Sequence, residues 1–140
     1  MNVYAESSAV TAWLLRQQRG AASSAVLEAA DRVVTSTLTR LECARALGRR
    51  AGEAGVDAAV LRAAERFLDE TVAGWALLAL NDELLARAAR RFPVEPVRTL
   101  DALHLATALE FHAALGSLTM LSLDERIRAN AAALGLTVAP

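Results

Sequence analysis

Met1-Asn2-Val3-Tyr4-Ala5-Glu6-Ser7-Ser8-Ala9-Val10 opens the chain, and its order of residue types decides how the rest is read. Val3 and Tyr4 are good strand formers, and the apolar run stops at the acid Glu6. Ser7 and Ser8 supply helix-capping chemistry before an apolar-periodic run that includes Val10, Trp13 and Leu14. A strand that passes through an acid into a helix is half of a β–α unit.

Outward from this segment the alternation repeats. Gly20 is expected to end the first helix, with Ala21–Ala30 forming another short one. Asp31–Thr35, with Val33 and Val34, reads as a second strand, and Thr37 or Thr39 as the cap of a helix carrying Leu41, Ala44 and Leu47 toward Gly52. Gly52 and Gly55 bracket a break before a helix from Asp57 to Thr71. Trp75–Leu80 is an apolar run of strand length. Asn81 caps a helix over Glu83–Arg91 whose last turn would hold Arg90 and Arg91, favourable beside the carbonyl end of the dipole. Pro93 and Pro96 impose an extended connector before a long helix over Thr99–Ala114. Leu118–Leu123 is again strand-like, Asp124–Leu134 helical, Gly135 its cap, and Thr137–Val138 a last short strand. This alternation predicts an α/β fold with a parallel sheet in one domain over residues 1–140. An all-α bundle is the rival, since abundant Ala and Leu raise helix propensity everywhere.

Composition narrows the function classes. A chain of 140 residues buries about 70% of its unfolded surface, enough for a real core. With 54% hydrophobic and 22% charged residues it is not a disordered segment. No apolar stretch approaches the ~20 residues of a membrane span, and Glu6 interrupts any leader-like opening, so a soluble cytoplasmic protein is expected. One cysteine, Cys43, makes no internal disulfide. The 15 basic residues are all Arg, a bias ascribed to codon usage, and against 16 acids they leave a net charge of −1. No global field draws the protein to nucleic acid, so such binding requires a local site.

Four acids are candidates for that site. Glu6 and Asp124 each follow an apolar strand, where open parallel sheets bind their ligands. Asp101 lies in the first turn of the long helix, and Glu42 about a turn into the helix after the second strand. Singly, each has an ordinary explanation. Asp101 and Asp124 suit a helix dipole, Glu6 a solvated loop, and Glu42 a pair with Arg45 or Arg49. Together they matter only if they meet, because crowded carboxylates repel unless a cation compensates. Hard oxygen ligands suit Mg²⁺ or Mn²⁺.

The strings Val3-Tyr4-Ala5-Glu6-Ser7-Ser8-Ala9, Leu38-Thr39-Arg40-Leu41-Glu42, Thr99-Leu100-Asp101-Ala102-Leu103-His104-Leu105-Ala106-Thr107-Ala108 and Leu121-Ser122-Leu123-Asp124-Glu125-Arg126 occur in that order. Together they resemble the PIN domain, and within it the VapC-like toxins of type II toxin–antitoxin pairs. The resemblance spans nearly the whole chain. It implies a mostly parallel sheet of four to five short strands flanked by helices, and a metal-dependent endoribonuclease activity. It places the catalytic acids at Glu6, Glu42, Asp101 and Asp124, with Glu6, Asp101 and Asp124 around Mg²⁺ or Mn²⁺ and Ser7 or Ser8 supporting the pocket. It further implies an RNA substrate, a homodimer, and an antitoxin laid over an apolar groove, for which Ala9–Leu15 and Leu38–Leu47 are the candidate helices. The chain departs from the family where Asp is usual and Glu6 stands. The extra methylene matters to Mg²⁺, which demands near-octahedral geometry at about 2.0–2.1 Å. The alternative is therefore a catalytically weakened PIN-like module that binds RNA or protein.

Other features read as structural. His104 and His112 are too far apart on one helix for a shared metal site, and His104 is expected to be packed or hydrogen-bonded. Cys43 reads as a small buried hydrophobe, and Trp13 and Trp75 as core or interface. Arg49, Arg50, Arg87, Arg90 and Arg91 are read as solvated faces rather than contacts to RNA phosphates, and Arg126 and Arg128, close after Asp124, as candidate contacts to an RNA backbone.

Overall fold

Five short strands gather the β-branched and apolar runs, and all of them pair in parallel. The computed structural model describes residues 1–140. The strands are β1 (Asn2–Ala5), β2 (Arg32–Ser36), β3 (Ala76–Leu78), β4 (Thr119–Leu121) and β5 (Thr137–Ala139). The helices are α1 (Ser7–Leu14), α2 (Gly20–Glu28), α3 (Thr37–Arg50), α4 (Ala58–Ala73), α5 (Asp82–Ala88), α6 (Thr99–Leu115) and α7 (Glu125–Ala133). Sheet order is β3-β2-β1-β4-β5, with Val3 in register with Val33 on one side and Thr119 on the other. The all-α alternative is thereby excluded.

Side chains of β1 alternate between two cores, as a strand's period of two requires. Tyr4 joins Val34 and Met120 against Leu105 and Ala108 of α6 and Ile127 and Ala131 of α7. Ala5 faces the other way, with Val10 and Leu14 of α1, Cys43 and Leu47 of α3, and Leu61, Leu68 and Val72 of α4. A sheet covered on both faces needs apolar residues at successive positions, which is why its strands read as continuous runs.

Several helix ends differ from expectation. Helix α1 stops at Leu14, where Arg16 takes a left-handed φ of 50°, so Gly20 does not end it. Gly20 instead begins α2 and packs on α1 so closely that an added Cβ would lie 2.3 Å from the Ala12 carbonyl oxygen. Ser36, not Thr37 or Thr39, caps α3, accepting from the Leu38 amide. Helix α5 ends at Ala88, which leaves Arg90 and Arg91 beyond it. Arg87 occupies the last turn and stacks its guanidinium 4.4 Å from the Phe92 ring centroid, so it is not a solvated face.

The Pro-containing connector is held firmly at the head of α6. Glu95 accepts from the amides of Phe92 (2.9 Å) and Val97 (2.7 Å). Buried Asn130 of α7 accepts from the Val94 amide at 2.9 Å and donates to the Val94 carbonyl at 2.8 Å. The backbone that delivers Arg98 and Asp101 is therefore fixed on α7.

From β1 the chain moves outward to β2 and β3, then returns to β4 and β5 on the opposite side. The reversal lies between β1 and β4, and ligands of open α/β sheets bind at the carboxyl ends of strands beside such a reversal. Glu6 follows β1 there, and Ser122–Asp124 follow β4. Away from this edge, an apolar groove of about 940 Å³ runs between the end of α1, the start of α2 and α4, lined by Trp13, Leu14, Val60, Ala64 and Phe67. Helix α4 forms one wall of this groove. No helix is long and apolar enough to cross a membrane.

Candidate active site

Glu6 is the N-cap of α1, its carboxylate accepting from the Ser8 amide at 3.1 Å. The serines thus cap the acid more than the helix. Ser7 Oγ donates to Glu6 Oε1 at 2.6 Å, Ser8 Oγ donates to Oε2, and Ser122 Oγ donates to Oε2 at 2.7 Å. A carboxylate offers about four lone-pair sites, and these donors fill them. Glu6 is correspondingly buried, at 3% exposure. The same hydroxyls join two loops: Ser8 Oγ accepts from the Leu123 amide at 2.9 Å, and Ser122 Oγ from the Asp124 amide at 3.1 Å. Arg128 adds to this junction by donating to the Ser122 carbonyl at 3.0 Å.

Glu42 reaches across to α6 and pairs with neither Arg45 nor Arg49. His104 Nε2 donates to Glu42 Oε2 at 2.6 Å. An ionised carboxylate only accepts, so Nε2 carries the proton and Nδ1 accepts from the Tyr4 hydroxyl at 2.8 Å. Burial first, and then the charge of Glu6, raise the Tyr4 pKa well above its ordinary value, which keeps the O–H in place to donate. His104 and Tyr4 are both fully buried, and the relay Tyr4–His104–Glu42 ties β1 and α6 to α3. Cys43, next to Glu42, is buried with its thiol pKa pushed up to about 12, chiefly by that burial, so it is no nucleophile.

Asp101 and Asp124 form the open side. Asp124 is the N-cap of α7, and its Oδ1 accepts from the amides of Arg126 (2.8 Å) and Ile127 (3.1 Å). Its Oδ2 points to Arg98, 3.6 Å from Nη2. Asp101 Oδ2 lies 3.3 Å from Arg98 Nε, an ion-pair contact without hydrogen-bond alignment. That oxygen is buried and has no hydrogen-bond partner. Desolvation is the main reason the Asp101 pKa is raised; the negative charges of Asp124 and Glu6 add to it, and Arg98 opposes it.

The structure therefore brings Asp101 and Asp124 together over Arg98, sets Glu6 behind them through Ser122, and holds Glu42 on His104. No three His, Cys, Asp or Glu side chains close around one point as a metal cage. The orphaned Asp101 Oδ2 and the outward Asp124 Oδ2 suit a hard cation held by two carboxylates with water completing its shell, the usual habit of Mg²⁺. Glu6 would reach such an ion only through a hydroxyl or water, or by releasing a serine.

Arg98 and Ser122 were not among the residues singled out from the sequence. Arg98 precedes Asp101 by three residues at a helix start, a spacing that brings the side chains together. Ser122 stands two residues before a capping Asp, in a position that looks like ordinary turn chemistry.

Comparison with known proteins identifies the family and the fold. The family model for the PIN domain matches residues 3–134. Ribonuclease VapC46 of Mycobacterium tuberculosis is 35% identical over 139 residues, 97% of this chain and 95% of that protein. Among solved structures, Mycobacterium tuberculosis VapC20, a Sarcin-Ricin loop cleaving toxin, aligns with a TM-score of 0.68 at 17% identity, covering 99% of each chain. FitAB bound to a DNA fragment aligns with a TM-score of 0.68 at 17% identity, covering 97% of this chain and 92% of that one. PAE2754 from Pyrobaculum aerophilum aligns with a TM-score of 0.65 at 19% identity, covering 99% and 83%. With its parallel sheet, its acids at the strand ends and a family match over nearly its whole length, this chain belongs to the PIN domain family, and its likeness there is to VapC members.

Proposed function

We propose that this protein is a metal-dependent endoribonuclease, the toxin of a toxin–antitoxin pair. The observation that carries the reading is the unpartnered, buried Asp101 Oδ2 beside Asp124, in a chain 35% identical to a ribonuclease. Asp101 and Asp124 would hold Mg²⁺ or Mn²⁺, which when bound activates water and neutralises charge on the scissile phosphate. Glu6 supports the site by holding the Ser7, Ser8 and Ser122 hydroxyls, which lock the loop after β1 to the loop after β4. Glu42 is oriented through Oε2 by His104, leaving Oε1 as the candidate acceptor of a proton. RNA presented as a single strand or loop suits a site that must reach the backbone beside splayed bases. The apolar groove between α1, α2 and α4 suits an antitoxin helix, in a cytoplasmic protein that dimerises.

The test is a cleavage assay on structured and unstructured RNA with Mn²⁺ or Mg²⁺, with Asp101→Asn as control. Metal-dependent cleavage by the wild type and none by the folded variant is expected. Equal cleavage by the two would reject the assignment.

A further inference from the structure

The guanidinium of Arg98 occupies the place where a cation is most needed. It is within ion-pair distance of both Asp101 and Asp124, and it is the one cation so placed for either acid. Its backbone is fixed: the connector is pinned through Glu95 and Asn130, and the Arg98 carbonyl accepts the Ala102 amide at 2.8 Å as α6 begins. Its side chain caps nothing and is 70% exposed. The two acids are far less exposed, at 15% and 28%. A tethered, solvent-exposed monovalent charge thus leans on two recessed carboxylates, and Asp101 Oδ2 and Asp124 Oδ2 have no other partner.

We propose that Arg98 is the site's own counter-cation, which neutralises Asp101 and Asp124 in the ion-free protein and must be displaced when a divalent ion binds. The inference rests on the metal-site reading above and deepens it. The guanidinium and the ion would use the same two oxygens, Asp101 Oδ2 and Asp124 Oδ2, so their binding is mutually exclusive. Competition of this kind lowers metal affinity by the fraction of time the arginine is in place. It also spares the ion-free protein the repulsion of two adjacent carboxylates.

Mn²⁺ titration by calorimetry, with the melting shift at saturating Mn²⁺ as a second reading, tests this on the wild type, Arg98→Ala, Arg98→Lys and Asp101→Asn. Arg98→Ala is expected to bind Mn²⁺ about threefold to tenfold more tightly than the wild type, the range that two exposed ion pairs supply. Arg98→Lys, which keeps the charge, should stay near the wild-type affinity. Saturable binding of equal or lower affinity in Arg98→Ala would overturn the assignment of Arg98 alone. Absence of binding in both the wild type and Arg98→Ala, or undiminished binding in Asp101→Asn, would remove the metal site itself. Because no RNA is present, neither result depends on cleavage.

Discussion

Glu6 and Asp101 lie at the same edge of the sheet, and the chain treats them in opposite ways. Glu6 is enclosed and receives the Ser8 amide and three serine hydroxyls, so its charge is solvated by fixed protein dipoles. Asp101 is recessed too, yet its Oδ2 has no hydrogen bond and only an exposed arginine nearby. Buried carboxylates that are fully hydrogen-bonded serve as structural anchors. One left short of partners has a raised pKa and an appetite for a cation. Glu42, gripped by His104, sits with the anchored side, and Asp124 with the open side.

The contrast can be broken at either side. Asp101→Asn should reduce metal-dependent RNA cleavage by roughly a hundredfold or more, since a bound cation supplies several kcal/mol of charge stabilisation. Its melting temperature at neutral pH should equal or exceed that of the wild type, because an unsatisfied charge has been removed. On the anchored side, His104→Ala leaves the buried Tyr4 hydroxyl and Glu42 without a partner and opens a cavity. It should destabilise the protein by about 2–4 kcal/mol in chemical denaturation, with His104→Gln costing less. Ser122→Ala removes one hydrogen bond to the Glu6 carboxylate and one acceptor for the Asp124 amide. A loss of about 1.5–3 kcal/mol is expected by the same measurement. If Ser122→Ala proves neutral, Glu6 is not the anchor described.

The smallest effect is in pH. The pKa of Asp101 is higher folded than unfolded, so its protonated form favours the fold. That stabilisation is fully present below the ordinary aspartate pKa of about 3.8 and is lost as pH rises through the raised value. The melting temperature of Asp101→Asn relative to the wild type should therefore be higher at pH 7 than near pH 4. A constant difference would show that Asp101 is better solvated than its geometry indicates.

Most of the architecture was legible in residue order, because a sheet buried on both faces demands apolar runs and α/β units separate them with amphipathic helices. The ends of elements were harder to read. Gly20 looked like a terminator because glycine often ends helices, whereas here it permits α2 to lie against the Ala12 backbone. The four acids could be picked out singly from their positions at strand ends and helix starts. Their division into anchored and open pairs could not. Ser122 and Glu6 are 116 residues apart, and Glu42 and His104 are 62 apart.

Hydrophobic periodicity and helix-capping residues act within a few positions of one another, so the alternation of strands and helices and the location of Glu6, Asp101 and Asp124 at its junctions were determined by the sequence by itself. Which carboxylate is satisfied, which stays bare, and that Arg98 reaches Asp124 as well as its helical neighbour Asp101 were decided only when β1, β4 and the start of α6 came together. Hydrogen bonding and Coulomb interactions depend on distances in space between groups that the chain holds far apart along its length.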